Sequence, residues 1–249
     1  MRPRIAIPMP HSSNREYGER AIPQYERAVV IAGGEPVRVE LSQGPADIRK
    51  MAQACDGMLL PGSNADVDPA KFGQERSVHT ATADVLRERT DFLLLEEAYA
   101  AKKPVLCICF GLQSLNVFRG GSLVQHIPNF LPEETRNRVK HEAGNKVAIA
   151  HSVQISDGSL LAGIAKGKEG RAQQGEIVVP VNSSHHQSAD AIGSGLRVIA
   201  RCPDDGIIEA LEGTSANHFV MAVQWHPERS VDDDKRSREI FRALVSAIR

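Results

Sequence analysis

The sequence predicts an α/β fold: a mainly parallel, doubly wound sheet flanked by helices, with additional antiparallel strands. Three observations predict it. In the first half, short apolar segments rich in β-branched residues alternate with helical ones, the pattern of a parallel sheet covered on both faces. The apolar run Val105-Leu106-Cys107-Ile108 passes directly into Cys109-Phe110-Gly111-Leu112-Gln113, a strand turning into a helix without an intervening loop. In the second half, several strand-like segments are joined by short connections, so part of the pairing there is antiparallel.

Taken in order, Ile5-Ala6-Ile7 reads as the first strand, bounded by prolines. Residues 19–32 read as a helix stopped by Gly33-Gly34. The alternation of Val37-Arg38-Val39-Glu40-Leu41 predicts a second strand, residues 48–54 a second helix, and Gly57-Met58-Leu59-Leu60 a buried third strand ending at Pro61-Gly62-Ser63. Residues 84–101 form a long amphipathic helix, with Lys102-Lys103 in its last turn, suited to the helix dipole, and Pro104 closing it. After Cys109 a helix runs to Gly120-Gly121. Residues 147–155, 177–181, 196–201, 207–211 and 219–224 read as strands. Residues 235–249 read as a final helix with Ile240, Phe241, Leu244, Val245 and Ile248 on one face. No linker long enough to divide the 249 residues is visible.

Composition narrows the function classes. Thirty basic against thirty-one acidic residues leave a net charge of -1. That balance gives no footprint for nucleic acid or for an anionic membrane surface. The low aromatic content, 4%, argues against a base-stacking platform. No apolar run approaches a membrane span. Cys55, Cys107, Cys109 and Cys202 match neither a zinc pattern nor a disulfide framework, which points to reduced thiols and a cytoplasmic protein. Pro8 and Pro10 break the apolar run after the basic start, so no secretory leader is expected.

Three segments carry chemistry. A strand running straight into a helix forces a sharp turn, and a nucleophile on that turn projects from the carboxyl edge of the sheet. Cys109 stands there, and Gly111 lets the following helix pass close to neighbouring strands. The helix start favours a thiolate, and a nearby histidine would add a proton acceptor and a positive charge. Cys109 alone also fits a buried structural cysteine, as Cys107 within the strand should be. In Gln224-Trp225-His226-Pro227-Glu228, the histidine can take a thiol proton while Glu228 fixes its orientation and tautomer. Taken alone, His226-Pro227-Glu228 is more often a turn than a catalytic pair. Pro61-Gly62-Ser63-Asn64 ends the third strand; its amides, with that of Phe110, can face a developing oxyanion, each donor worth on the order of 3 kcal/mol. From this tetrapeptide alone, a plain strand-to-loop turn is the better reading.

These segments, in this order, resemble the class I glutamine amidotransferase family, and in particular its γ-glutamyl hydrolase branch, the C26 cysteine peptidases. The Cys109-x-Gly111-x-Gln113 elbow is similar to the family's nucleophile motif, and Val223-Gln224-Trp225-His226-Pro227-Glu228 to its His–Glu motif. Asn182-Ser183-Ser184-His185-His186-Gln187, Gly120-Gly121-Ser122-Leu123, the run from Pro203 to Ala210 and the loop from Pro61 to Pro69 resemble the γ-glutamyl hydrolase branch. The resemblance runs from Ile5 to the last helix, and is nearest to the γ-glutamyl-γ-aminobutyrate hydrolase group.

The resemblance implies one domain over residues 1–249, with Cys109 as nucleophile, His226 as general base and Glu228 as its orienter. It assigns Gly62, Ser63 and Phe110 to the oxyanion site, Gln113 to the γ-glutamyl part of the substrate, and His185 and His186 to the pocket lining. Phe110 stands where many members carry arginine, and Asn64-Ala65 also departs from the pattern; both are expected at the pocket mouth. The implied reaction is hydrolysis of a γ-glutamyl amide through a thioester, with no metal and no organic cofactor. The expected partner is a small-molecule γ-glutamyl substrate, with no nucleic acid and no membrane; a homodimer is a fold-level analogy. Two other functions fit the same residues: a glutaminase subunit feeding ammonia to a synthetase, and a catalytically inactive binding protein.

Overall fold

Side chains on a strand alternate between the two faces of a sheet, and the packing of the first strands follows that period. The computed structural model describes residues 1–166 and 177–248. Strand β1 (Arg4–Pro8) leads to helix α1 (Arg15–Ile31), β2 (Glu35–Val39), α2 (Pro45–Ala54), β3 (Gly57–Leu60), α3 (Val85–Ala101), β4 (Val105–Ile108) and α4 (Phe110–Phe118). The short elements β5 (Leu123–Val124), α5 (Ile127–Phe130) and α6 (Glu133–Arg136) follow, then β6 (His151–Ile155), α7 (Leu160–Lys166), β7 (Ile177–Val181) and β8 (Ser188–Ala189). The chain closes with β9 (Leu196–Arg201), β10 (Ile208–Gly213), β11 (Val220–Val223) and α8 (Lys235–Ser246).

Among the described residues, nine strands form one sheet in the order β2-β1-β3-β4-β11-β10-β9-β6-β7. The pairs from β2 to β11 are parallel, and those from β11 to β7 antiparallel. Ile5, Ile7, Leu106 and Ile108 pack on one face against Ile22 and Tyr25 of α1 and Phe241 and Leu244 of α8. Ala6, Val105 and Cys107 pack on the other face against Ile48 of α2 and Leu94 and Ala98 of α3. Cys107 is therefore core, as expected from its place inside the strand.

Several boundaries differ from expectation. Helix α1 starts at Arg15 because the Asn14 side chain accepts from the Tyr17 N–H, and Pro23 is accommodated inside it. Strand β2 slides two residues towards the N-terminus, since its register is set by pairing with β1, Arg4 opposite Glu35 and Pro8 opposite Val39. As an edge strand it tolerates Pro36. Lys102 caps α3 in a left-handed conformation, but Lys103 serves the neighbouring helix. Its Nζ donates to the carbonyls of Ala52, Gln53 and Cys55, at the end of α2. The strand expected over 147–155 is ordered only from His151, and Val147 and Ile149 are exposed. The strand expected over 207–211 runs on to Gly213 against β9. The last helix ends at Ser246, and Arg249 lies outside the described residues. The β5–β8 ribbon and the short helices α5, α6 and α7 carry too few residues for a periodic signal and went unanticipated. No helix among the described residues is long and apolar enough to cross a membrane.

Candidate active site

Three neighbouring parallel strands end level with one another. Leu60 of β3 is opposite Cys107 of β4, and Ile108 of β4 is opposite Val223 of β11. The residues that follow, Pro61-Gly62, Cys109 and Trp225-His226, therefore emerge together at the carboxyl edge of the sheet, where ligands of open α/β sheets bind. A β-carbon added to Gly62 would stand 2.9 Å from His226 Cε1 and 3.6 Å from Cys109 Cβ.

Cys109 holds φ 53 and ψ -107, a conformation that non-glycine residues rarely adopt. Such backbone strain costs of order 1–3 kcal/mol and persists where the surroundings enforce it. Here the Cys109 N–H donates to the Val223 carbonyl at 2.8 Å, and α4 starts at the next residue. Gly111 is obligatory, because a β-carbon there would overlap the Leu60 carbonyl. The thiol is nearly buried and faces the His226 ring.

His226 Nδ1 donates to Glu228 Oε1 at 2.7 Å, which leaves Nε2 for the sulfur. Burial disfavours a charged ring, but the Glu228 carboxylate and then the Cys109 sulfur outweigh it and lift His226 to about 9. Asn182 clasps the histidine backbone twice: its Nδ2 donates to the His226 carbonyl, and its Oδ1 accepts from the His226 N–H, both at 2.9 Å. Asn182→Ala is therefore expected to lower kcat by about 10–100-fold with little change in KM, since the ring loses its setting rather than its chemistry. Steady-state kinetics with a γ-glutamyl amide, the substrate class that the resemblance implies, check this; an unchanged kcat would remove Asn182 from the positioning machinery. Arg229 closes the far side, its Nη1 donating to Ser184 Oγ at 2.7 Å and its Nε lying 3.7 Å from Glu228.

The other expected site residues divide. The Phe110 N–H is the first of a helix, where amides lack an intrahelical acceptor. It opens next to the sulfur and suits an oxyanion. Its side chain is not at the pocket mouth as expected: the ring is fully buried with Val67 and Leu123. The Arg87 guanidinium stacks 4.8 Å from it. The Gly62 N–H donates to Tyr25 Oη at 3.0 Å, so it is already engaged. The Ser63 N–H has no acceptor among the described residues, while Ser63 Oγ accepts from the Ala65 N–H at 3.1 Å. Gln113 is buried, and its Nε2 donates to the Gln187 carbonyl at 3.3 Å.

His186 pairs with Asp66 at 3.0 Å, an interaction that overcomes partial burial and raises its pKa. It ties the loop after β3 to the 182–187 segment. His185 corrects the expectation of a pocket-lining residue. It is fully buried, its Nδ1 donates to the Gln187 carbonyl at 2.9 Å, and its Nε2 turns towards Glu209, so no ring nitrogen is left for a substrate.

Four residues at this edge escaped the sequence reading. Tyr17, partly exposed, stands beside Cys109; burial, then the Cys109 and Glu228 charges, push its hydroxyl up to about 12. Tyr25 shares the core face of α1 with Ile22 and Val29 and looks like packing. Arg87 looks like an ordinary helix charge. Asn182 opens the 182–187 segment that resembles the γ-glutamyl hydrolase branch, which was the one available signal.

The described chain matches known proteins along most of its length. The profile of the Peptidase C26 family matches residues 5–228. A putative glutamine amidotransferase of Mycobacterium tuberculosis is 38% identical over 90% of this chain and 66% of its own length, so this chain spans about two thirds of that relative. Gamma-glutamyl-gamma-aminobutyrate hydrolase of Escherichia coli K12 is 31% identical over 90% of this chain and 84% of its own. Two solved structures share the fold. A putative GMP synthase component of Thermoplasma acidophilum superposes with TM-score 0.64 at 14% identity, covering 100% of this chain and 94% of that one. The glutaminase domain of a Trypanosoma brucei CTPS, with bound acivicin, superposes with TM-score 0.62 at 18% identity, covering 98% and 94%.

Proposed function

The chain belongs to the peptidase C26 family and is a glutamine amidotransferase-like hydrolase; on that premise we propose that it cleaves γ-glutamyl amide bonds through a thioester on Cys109. The reading rests on one observation: a cysteine held at φ 53 on a strand-to-helix elbow, facing a histidine bonded to a glutamate. The Cys109 sulfur attacks the γ-carbonyl, and the developing oxyanion takes hydrogen bonds from the Phe110 and Ser63 N–H groups. His226 passes its Nε2 proton to the leaving nitrogen as the C–N bond breaks. Water then attacks the thioester, His226 Nε2 takes its proton, and the C–S bond breaks to release glutamate. The similarity to a γ-glutamyl-γ-aminobutyrate hydrolase favours a γ-glutamyl amine as substrate.

The test incubates the purified chain with γ-glutamyl-γ-aminobutyrate, other γ-glutamyl amines and glutamine, and measures glutamate, amine and ammonia. A γ-glutamyl adduct on the intact protein is expected, and it should vanish in Cys109→Ser. A folded protein that releases glutamate from none of these compounds would sink the reading. The similarity to a putative glutamine amidotransferase supports a second one, a glutaminase feeding ammonia to a synthetase. Ammonia release from glutamine far faster than amine release from the other substrates would select it.

The proton on His226 sets a pH dependence. Below about 9 the ring is charged and can supply the leaving nitrogen; above it, that proton is gone and acylation slows. Glu228 is the largest influence raising this value, so Glu228→Gln is expected to move the alkaline limb of the kcat/KM profile down from about 9 towards the ordinary 6.5. A limb that stays in place in Glu228→Gln would mean another group controls it.

A further inference from the structure

Away from Cys109, three histidines converge on one carboxylate inside the protein. His141 Nδ1, His151 Nε2 and His185 Nε2 lie 3.2, 3.4 and 3.5 Å from Glu209 Oε1. The four ligand atoms lie within 4.8 Å of one another, and all four side chains are buried. None of these inward atoms has a hydrogen-bond partner among the described residues. At such distances that is informative: three ring nitrogens crowd one carboxylate oxygen without a well-aligned hydrogen bond to it.

The outer nitrogens explain the arrangement. His141 Nε2 bonds Asp205 Oδ2 at 2.8 Å, His151 Nδ1 the Ser152 carbonyl at 3.1 Å, and His185 Nδ1 the Gln187 carbonyl at 2.9 Å. Each partner is an acceptor, so each outer nitrogen carries the hydrogen, and in the neutral ring the inner nitrogen presents a lone pair. Three lone pairs and a carboxylate facing one point repel one another unless something positive sits between them. Outer hydrogen bonds of this kind, to a carboxylate or a carbonyl, are how metal-bound histidines are oriented.

We propose that His141, His151, His185 and Glu209 form a buried site for one divalent transition-metal ion, best suited to zinc. Zinc bonds histidine nitrogen and carboxylate oxygen at about 2.0–2.2 Å, which sets the edge of its coordination tetrahedron at about 3.3–3.5 Å. The three nitrogen-to-oxygen separations match that edge. The charge also balances, since the dication is offset by Glu209 and by the buried Asp205 behind His141. Four protein ligands fill the tetrahedron and leave no position for substrate or water, so the ion is structural rather than catalytic.

Its place in the fold gives it a function. His185 belongs to the segment in which Asn182 clasps His226, Ser184 holds Arg229, His186 pairs Asp66 and the Gln187 carbonyl accepts from Gln113. An ion anchoring His185 to Glu209 of β10 and His151 of β6 pins that segment to the antiparallel half of the sheet. The sequence suggested no metal because this ligand set contains no cysteine and is spread between positions 141 and 209, with no short spacing to reveal it.

The test uses the full chain carrying Cys109→Ala, so that no reactive thiolate competes for metal. Purified without chelator, it is expected to hold about one zinc per chain by plasma mass spectrometry. After stripping, it should bind Co²⁺ at about one equivalent, with the intense visible bands of a tetrahedral site and no sulfur charge-transfer band. Glu209→Gln and His151→Gln should weaken binding by at least about 10-fold, while His218→Gln, a buried histidine elsewhere, retains it. If the cluster variants fail to fold, stoichiometry and spectrum of the parent decide. A folded parent that takes up no Co²⁺, or gives only octahedral spectra, overturns the site. So do folded cluster variants that bind as tightly as the parent.

Discussion

Cys109→Ala is expected to lower turnover of a γ-glutamyl amide by on the order of 10⁴-fold or more, with the fold intact. Loss of a nucleophile from a working triad removes the covalent route and leaves only what binding and oxyanion donors supply. The variant still carries a β-carbon at φ 53, so it keeps the backbone strain. Cys109→Gly removes thiol and strain together. It should be equally inactive yet about 1 kcal/mol more stable than Cys109→Ala, because the relief at this conformation exceeds the entropic cost of a glycine in the unfolded chain. Urea unfolding of both variants and single-turnover kinetics check the pair. Retention of activity in Cys109→Ala would dismiss the nucleophile. A glycine variant less stable than the alanine one would mean the elbow is not strained.

Arg87→Met should have the largest effect on stability. Arg87 is fully buried and bonds the equally buried Asp91 at 2.7 Å. It also donates to the Pro10 carbonyl at 2.9 Å and the Pro61 carbonyl at 2.5 Å, and lies 3.4 Å from the Gly62 carbonyl. Removing one member of a buried ion pair strands the other and costs about 3–5 kcal/mol. For a chain of this size that lowers the melting midpoint by about 10 °C. Arg87→Met/Asp91→Leu should recover much of the stability, since no lone charge remains. It should not recover activity, because the Pro61-Gly62 turn beside His226 and Cys109 still lacks its tether. A single variant that melts like the parent, or a double variant with full activity, would contradict this account of Arg87.

What could be read in advance follows from the range of each interaction. The elbow, the His–Glu pair and the third-strand turn were legible because each is a contiguous run whose residue types and strand boundaries constrain one another. Compact apolar runs placed β1, β3 and β4 for the same reason. Boundaries such as the start of β2 and the true beginning of β6 were not legible, since a neighbouring strand fixes them.

The sequence by itself determined the order of the main strands and helices, the strand-to-helix elbow at Cys109, the glycine after Phe110, and the chemical identity of a cysteine, a histidine and a glutamate. Tertiary structure alone decided that Arg87 tethers the turn, that Tyr25 occupies the Gly62 N–H, that Asn182 holds His226, and that His185 turns inward to Glu209. The physical reason is that hydrogen bonds and charge pairs act over a few ångströms. Residues 26, 37 and 44 positions apart meet only after the sheet has ordered its strands, and nothing periodic in the chain records those meetings.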